Sequence, residues 1–153
     1  MFKKILWVTD FSAAAQKAGQ QSLACVKCSE GGSIDVLTVI DPEDLPFLEI
    51  VPNPFITMAQ EESVGERLEE EYKQQVLDQL TLKTRFLRDA NVPITLHIRV
   101  GIPWKEIVIA AQELGTTMIV IGSHGKRSLE DILLGSTVEN VIKHAPCPVL
   151  VVR

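Results

Sequence analysis

Short apolar runs alternate with longer amphipathic stretches along the whole chain, and this alternation limits the possible folds more than any other feature. Runs with the length and composition of β-strands occupy residues 4–9, 34–40, 94–100, 118–121 and 149–152. Stretches with the spacing of amphipathic helices lie between them, at residues 13–28, 61–90, 103–114 and 136–144. Strands that are separated by helices pair in parallel through right-handed crossovers. The pattern therefore predicts a three-layer, doubly wound α/β domain built on a five-stranded parallel sheet.

Local signals mark where the helices begin and end. Ser12 is a good N-cap for the first helix, and Pro103 suits the first position of another helix, where its missing N–H costs nothing. Ser136 is expected to cap the last helix, and Asn91, followed by Pro93, ends the long one. Helical spacing also predicts the inward positions, which are Ala18, Leu23, Ala24, Val26, Val64, Leu68, Tyr72, Val76, Leu80, Ile107, Val108, Ala111, Leu114, Val138, Val141 and Ile142.

Two segments depart from the regular pattern. Residues 41–60 contain four prolines, which break any long element, so we expect an irregular excursion with room for one helical turn. Residues 94–100 alternate between apolar and polar side chains, which is typical of an edge strand with one wetter face. Residues 118–121, by contrast, are apolar throughout, as expected of a strand that is buried on both faces.

Length, charge and cysteine count exclude several classes of protein. The 153 residues fit a single domain, spanning 1–153, which needs no disulfide or metal to stabilise its core. A net charge of −5 offers no general attraction to nucleic acid or to an anionic membrane surface. No apolar run reaches the roughly 18 residues of a spanning helix, and Asp10 interrupts the first run too early for a signal peptide. Three cysteines do not make a secreted disulfide framework, so we expect a cytoplasmic protein.

A glycine-rich stretch follows the fourth strand, from Gly122 to Ser136. Glycines let backbone N–H groups approach a phosphate closely, and the N-terminus of the last helix adds partial positive charge. Residues that would add charge or hydroxyl donors to such a site are Lys126, Arg127, Ser123, Ser136 and Thr137. The stretch contains neither the Walker A string nor the dinucleotide fingerprint. The residues alone leave two interpretations open, a phosphate site or a set of glycines that serve turns and close packing.

Asp10 ends the first strand as Gly122 ends the fourth. In doubly wound sheets, ligands bind outside the carboxyl ends of the strands, at the point where the strand order reverses. If the first and fourth strands are neighbours, Asp10 and the glycine-rich stretch face the same crevice.

The spacing Gly122-x2-Gly125-x9-Gly135-Ser136 resembles the ATP-binding motif of the universal stress protein family. Two further segments resemble the opening and the ending of that family, residues 1–16 and 116–153. The resemblance covers almost the whole chain. It implies a Rossmann-like fold of the adenine nucleotide alpha hydrolase type, with the strand order 3-2-1-4-5.

The same resemblance implies what each part of the site would hold. Asp10 would accept hydrogen bonds from the ribose or the adenine, and the backbone near Val39 and Ile40 would line the adenine pocket. The ribose and the first phosphates would be wrapped by Ile121, Gly122, His124 and Gly125. Gly135, Ser136 and Thr137 would bind the outer phosphates. These phosphates would in turn supply most of the ligands of a Mg²⁺ or Mn²⁺ ion. The remaining expected site residues are Thr9, Ser123, Lys126 and Arg127.

These implications favour a regulatory, ATP-binding stress-response protein that changes its conformation or its binding to an unidentified protein partner. The family commonly dimerises through the last strand, which implies a homodimer through Val149–Val152 that covers an open sheet edge. One alternative is a slow ATPase or phosphotransferase with His124 and Lys126 near the phosphates, and hydrolysis would then be weak at most. The other is a nucleotide-free dimeric interaction module. No residue is assigned a catalytic role.

Cys25-x-x-Cys28 has the spacing of a redox motif but lies near the C-terminus of a helix, where the dipole raises a thiol pKa. We therefore expect packing or surface positions for both thiols rather than redox chemistry. His97, in the middle of a strand, is expected to be structural. His144, in a last helical turn, is at a position where a cation favours the helix dipole.

Overall fold

A computed structural model describes residues 2–45, 58–125 and 134–153, with side chains in the long helix described from Val64 onward. The strands are β1 (Lys4–Val8), β2 (Ser33–Ile40), β3 (Ile94–Val100), β4 (Met118–Gly122) and β5 (Val149–Val152). The helices are α1 (Ala13–Lys27), α2 (Met58–Lys83), α3 (Arg85–Asp89), α4 (Pro103–Glu113) and α5 (Ser136–His144), and a 3₁₀ turn covers Pro42–Asp44. Within these ranges, no helix is both long and apolar enough to cross a membrane.

The sheet has the strand order β3-β2-β1-β4-β5, and every strand pair is parallel. α1 and α2 pack on one face of it, and α4 and α5 pack on the other. This is the doubly wound fold that the alternation predicted, with the order that the resemblance implied. β3 lies at an edge, as its alternating pattern indicated. β1 and β4 are neighbours, so the two strand ends that carry Asp10 and Gly122 meet at one side of the sheet.

Each face of the sheet has its own apolar core, because successive side chains of a strand point to opposite faces. Trp7 packs towards α1 and α2, whereas Leu6 packs towards α4 and α5. Trp7 is fully buried, and its indole N–H donates to the carbonyl of Ala15 at 2.9 Å. A Cβ on Gly19 would lie 2.4 Å from the Trp7 ring, so glycine is what lets α1 approach β1 this closely.

The prediction of one helix over residues 61–90 is wrong at Thr84, where α2 ends and α3 begins. The backbone of Thr84 has a φ of −96° and a ψ of 0°, and its hydroxyl donates to the carbonyl of Leu80 at 2.7 Å. Hydrogen bonds of this kind, from a hydroxyl to the preceding turn, weaken and bend helices. The predicted apolar stripe nevertheless persists, with Val76 buried before the break and Leu87 buried after it.

Three further expectations for the helices are wrong. Ala24 is exposed, and Ile142 keeps 47% of its surface exposed. Ile142 follows the buried Val141 by one residue, which turns its side chain by about 100° away from the core. Ser136 does not cap the last helix, because Gly135 takes the N-cap position with extended backbone and Ser136 is the first helical residue.

The three cysteines are free thiols, with Cys25 and Cys147 half-buried and Cys28 exposed. Burial is the main cause that raises the pKa of the Cys25 thiol above its ordinary value, and burial likewise raises the pKa of Cys147. Thiols with a raised pKa stay protonated at neutral pH and are poor nucleophiles. Cys25 is thus a half-buried thiol with a raised pKa and Cys28 lies at the surface, which agrees with the packing or surface positions expected for this cysteine pair.

The two histidines outside the glycine-rich stretch are engaged in local contacts. His97 shares a hydrogen bond of 2.8 Å with the buried carboxylate of Asp35 on the neighbouring strand. The ring of His144 stacks on Trp104, with 4.8 Å between the ring centroids. Both histidines lie away from the cavity described below.

Candidate functional site

The carboxyl ends of β1, β2 and β4 open into a cavity of about 630 Å³. Its volume is in the range of small-molecule sites, roughly 300–1,000 Å³, and it lies where the strand order reverses. Most of the residues expected from the sequence line it, namely Thr9, Asp10, Val39, Ile40, Ile121, Gly122, His124, Gly125, Gly135, Ser136 and Thr137. Ser123 is not among the lining residues, and Lys126 and Arg127 lie outside the described residues.

The chain leaves β1 through a tight corner that fixes the position of Asp10. The N–H of Thr9 still pairs with the carbonyl of Leu37 at 2.9 Å, so the corner begins on the sheet. Oδ1 of Asp10 then accepts the N–H of Ser12 at 3.0 Å, which closes an Asx turn. Phe11, inside this turn, has a φ of 67°. Such a backbone conformation is unusual for a bulky residue, so the hydrogen bonds of the corner must hold it.

Two glycines of the stretch allow close approaches, but to different groups. A Cβ on Gly122 would lie 2.8 Å from the backbone of Ala14 and Ala15, so this glycine lets α1 pack against β4. A Cβ on Gly125 would lie 2.6 Å from Oδ2 of Asp10. Gly125 therefore places bare backbone next to a carboxylate, and a side chain there would displace one or the other.

The N-terminus of α5 faces the cavity with Gly135, Ser136 and Thr137. Gly135 is tied to the loop below it, since its N–H donates to the carbonyl of Ser123 at 2.9 Å. No side chain of the described residues caps this helix. The N–H groups of the first turn have no partner inside a helix and carry partial positive charge. The arrangement suits an anion such as phosphate.

Ser123 plays a different part from the one expected for it. The residue is only 2% exposed, its N–H donates to the carbonyl of Val152 at 2.7 Å, and its hydroxyl shares a hydrogen bond of 2.9 Å with Nδ1 of His124. Its hydroxyl is thus turned to the imidazole rather than to the cavity. Ser123 joins β4, β5 and the start of α5, and it orients the His124 ring that does line the cavity.

Carboxylates, as well as the N-terminus of α5, line the cavity. Asp41 and Asp44, at the 3₁₀ turn that follows β2, line it together with Asp10. Oδ1 of Asp41 accepts the N–H of Glu43 at 3.0 Å, which caps the turn. The cavity thus offers both carboxylates and a helix N-terminus, which suits a ligand that carries hydrogen-bond donors as well as an anionic group.

Sequence reasoning did not identify the side walls of the cavity, which come from residues on three elements, namely Thr38, Tyr72, Val76, Ile102, Pro103 and Ile107. A usable signal existed for α4, because its first residues directly follow the end of β3 and must lie at the same edge of the sheet. No comparable signal existed for Tyr72 and Val76. Their place on the apolar stripe of α2 predicts that they are buried, but it does not predict whether they face the hydrophobic core or the cavity.

The chain matches the model of the universal stress protein family over residues 1–153. It is similar to universal stress protein MJ0577 of Methanocaldococcus jannaschii, with 37% identity over 157 aligned positions that cover 100% of this chain and 96% of the relative. The solved structure of MJ0577 superposes with a TM-score of 0.83 at 35% identity, covering 99% of this chain and 96% of that one.

More distant structures share the fold. Universal stress protein UspA from Lactobacillus plantarum superposes with a TM-score of 0.73 at 27% identity, covering 99% of this chain and 98% of that one. A universal stress protein solved in complex with cAMP has a TM-score of 0.67 at 18% identity, with coverage of 99% and 97%. One from Archaeoglobus fulgidus solved in complex with dAMP has a TM-score of 0.64 at 17% identity, with coverage of 100% and 98%.

Proposed function

The chain belongs to the universal stress protein family, and we propose that it is a regulatory protein that binds ATP in the cavity at the carboxyl ends of β1, β2 and β4. The observation that carries this proposal is that Asp10, bare backbone at Gly125 and the first turn of α5 meet at one cavity. A carboxylate suits the hydroxyl donors of a ribose, and a helix N-terminus suits phosphate.

The groups that would hold the nucleotide are those that the resemblance to the universal stress protein family implies, and they line the cavity. Asp10 would accept hydrogen bonds from the ribose or the adenine, and the backbone at Val39 and Ile40 would flank the base. Ile121, Gly122, His124 and Gly125 would surround the ribose and the first phosphates. Gly135, Ser136 and Thr137 would donate to the outer phosphates. A Mg²⁺ or Mn²⁺ ion held mainly by the phosphates would offset their charge, which matters beside three carboxylates.

The local geometry of the cavity supports nucleotide binding more strongly than the similarity to relatives that were solved with a nucleotide. The two relatives solved with cAMP and with dAMP share the fold at 18% and 17% identity. Gly125 offers the more direct argument, because a Cβ there would lie 2.6 Å from Oδ2 of Asp10 and would displace a carboxylate that lines the cavity. Glycine at such a position is typical of backbone that approaches a phosphate or ribose closely.

Regulation would come from surfaces that surround the cavity. A nucleotide bound between the β1 corner and α5 would contact elements on both faces of the sheet, so its presence would change the surface that a protein partner meets. We also propose a homodimer through β5, whose four residues are half-buried in the single chain and whose outer edge is open to pairing.

A slow ATPase activity is the second candidate, because the His124 ring lines the cavity and is oriented by the Ser123 hydroxyl at 2.9 Å. Steady release of ADP that falls when His124 is changed to Ala would favour turnover over binding alone.

A thermal melt with and without Mg·ATP tests the proposed function. At 100 times its dissociation constant, a ligand stabilises by about 2.7 kcal/mol, which raises the melting temperature of a domain of this size by roughly 5–10 °C. Gly125→Val should abolish the shift, because its side chain would collide with Asp10. The matched control is Gly65→Val in α2, where nothing lies within 4 Å of an added Cβ.

Nucleotide carried through purification would hide the shift, so the protein is first denatured and its supernatant analysed for ATP. A shift, or carried ATP, that is lost in Gly125→Val and kept in Gly65→Val supports the nucleotide site. Neither shift nor carried nucleotide in the wild-type protein would favour the nucleotide-free interaction module instead.

A further inference from the structure

The first turn of α4 forms part of the cavity wall although no described side chain caps it. Ile102 is its N-cap residue and Pro103 its first helical residue, and both line the cavity together with Ile107. Ile102 has no oxygen with which to cap a helix, and it is 50% exposed. Some other interaction must therefore hold this turn against the cavity.

The chain reaches α4 from β3 through a corner at Gly101. Its N–H donates to the carbonyl of Ile40 at 3.0 Å, and its φ of 155° lies in the range that favours glycine. The side chain of Glu106, from the first turns of α4, folds back over this corner. A Cβ on Gly101 would lie 2.9 Å from Cγ and Oε1 of Glu106.

Arg99, near the end of β3, connects this corner to both ends of α4. Its guanidinium lies 3.6 Å from the carboxylate of Glu106 and also contacts that of Glu113 in the last turn. The side chains of Arg99 and Glu106 are 25% and 24% exposed, whereas that of Glu113 is 58% exposed. A less exposed ion pair is less screened by water and salt. Glu113 makes the closer contact with the guanidinium, a hydrogen bond, and is the main cause that raises the pKa of Arg99 above its ordinary value. Glu106 is the partner that lies in the first turn of α4, next to Ile102 and Pro103 of the cavity wall.

We propose that Arg99 and Glu106 are positioning residues for the nucleotide site. Their ion pair holds the uncapped first turn of α4 where Ile102 and Pro103 form the cavity wall. Neither charged side chain lines the cavity, so both act through the helix. The proposal rests on the proposed function, since the quantity that it predicts is the affinity of this cavity for nucleotide.

Loss of the pair would leave the first turn of α4 held by apolar packing, in which Ile107 is 1% exposed and Trp104 packs against the same core and stacks on His144. A helix start with neither a cap nor an ion pair frays more readily. The wall of the cavity would then be in place for a smaller fraction of the time, and the apparent affinity falls in proportion to that fraction.

Isothermal titration of the full chain with Mg·ATP measures the affinity of two variants, Glu106→Gln and its matched control Glu113→Gln. Each variant removes one of the two carboxylates that contact the guanidinium of Arg99. We expect the dissociation constant to rise about fivefold in Glu106→Gln and less than about twofold in Glu113→Gln. Arg99→Gln should match Glu106→Gln, and Arg99→Lys, which keeps the charge, should recover part of the loss. The melting temperatures of the nucleotide-free variants should fall by similar small amounts. A loss of stability would then not explain why Glu106→Gln binds Mg·ATP more weakly than Glu113→Gln does.

Hydrogen exchange without nucleotide provides a second readout. The N–H of residue 106 donates to the carbonyl of Ile102 at 3.1 Å, and it should exchange faster in Glu106→Gln and Arg99→Gln than in Glu113→Gln. Unchanged affinity in Glu106→Gln, or equal losses in Glu106→Gln and Glu113→Gln, would overturn the positioning role alone. A wild-type chain that binds no nucleotide would overturn the proposed function, and the positioning role with it.

Discussion

The helices α1 and α5 both begin at the edge of the cavity, but their first turns are completed in different ways. Oγ of Ser12 caps α1 by accepting the N–H of Ala15 at 3.2 Å, and Oδ1 of Asp10 accepts the N–H of Ser12. α5 begins after Gly135, which has no side chain to offer, and no other described side chain takes its place. The start of α1 is thus capped by a side chain, whereas no side chain of the described residues caps the start of α5.

This difference indicates what each helix start is for. A capped start contributes to the stability of the folded chain, at about 1 kcal/mol for a serine cap. An uncapped start gives up that contribution and gains a preorganised site for an anion. Substitutions at the start of α5 should therefore change the affinity for Mg·ATP and leave the stability of the folded chain unchanged. Substitutions at the start of α1 should lower the stability and leave the affinity unchanged. Three predictions test that separation.

The largest effect is expected from removing both hydroxyls at the start of α5, as Ser136→Ala combined with Thr137→Val. A hydrogen bond to a charged group contributes about 1.5–3 kcal/mol, so two lost bonds to phosphate should weaken Mg·ATP binding by at least about a hundredfold. Isothermal titration measures the affinity. The melting temperature without nucleotide should stay within about 1 °C of wild type, because neither hydroxyl caps the helix. Equal affinity in the two proteins would mean that the start of α5 does not hold the phosphates.

A smaller effect, on stability, is expected from Gly122→Ala at the contact between β4 and α1. The added Cβ would lie 2.8 Å from the backbone of Ala14 and Ala15, which cannot move as a flexible side chain does. Overpacking of this kind costs about 1–3 kcal/mol, measurable as a lower midpoint in urea denaturation. The control is Gly65→Ala, which should be neutral or stabilising because its site is open. A midpoint for Gly122→Ala equal to that of wild type would contradict the close approach of α1 to β4.

The smallest effect is expected from Ser12→Ala, which removes the cap of α1. Loss of a serine cap costs about 1 kcal/mol, which lowers the melting temperature by roughly 2–4 °C. Affinity for Mg·ATP should change by less than about twofold, since Asp10 and the backbone of the corner remain. Ser136→Ala alone serves as the comparison at the other helix and should show the opposite pattern. If Ser12→Ala weakens binding as strongly as Ser136→Ala does, the two helix starts do not have separate tasks.

Much of the fold could be predicted because the relevant signals are local. Proline, Ser12 and the apolar runs each act on their own few residues, so the element types, most boundaries and the edge position of β3 follow from them. The errors occur where a contact between distant residues, or one side-chain hydrogen bond, competes with the local pattern. Thr84 breaks a helix through a bond from its hydroxyl to Leu80, and Ile142 is apolar yet lies on the outer face of α5.

The candidate site shows the same division. The glycine spacing and the ends of β1 and β4 indicated an edge of the sheet and the residue types that gather there. They did not separate the two tasks of the glycines, because Gly122 and Gly125 look alike in a sequence. Only their neighbours differ, which are the backbone of α1 for Gly122 and the carboxylate of Asp10 for Gly125.

The sequence by itself determined the class of the domain and the family to which it belongs, and it predicted the edge of the sheet where a ligand would bind. Periodicity and spacing carry this information because they are properties of neighbouring residues. The tertiary structure alone decided that a side chain caps the start of α1 while none of the described side chains caps the start of α5, and that Arg99 contacts Glu106 at the start of α4. These features depend on distances between residues far apart in the chain, and such distances exist only after the sheet has brought the strand ends together.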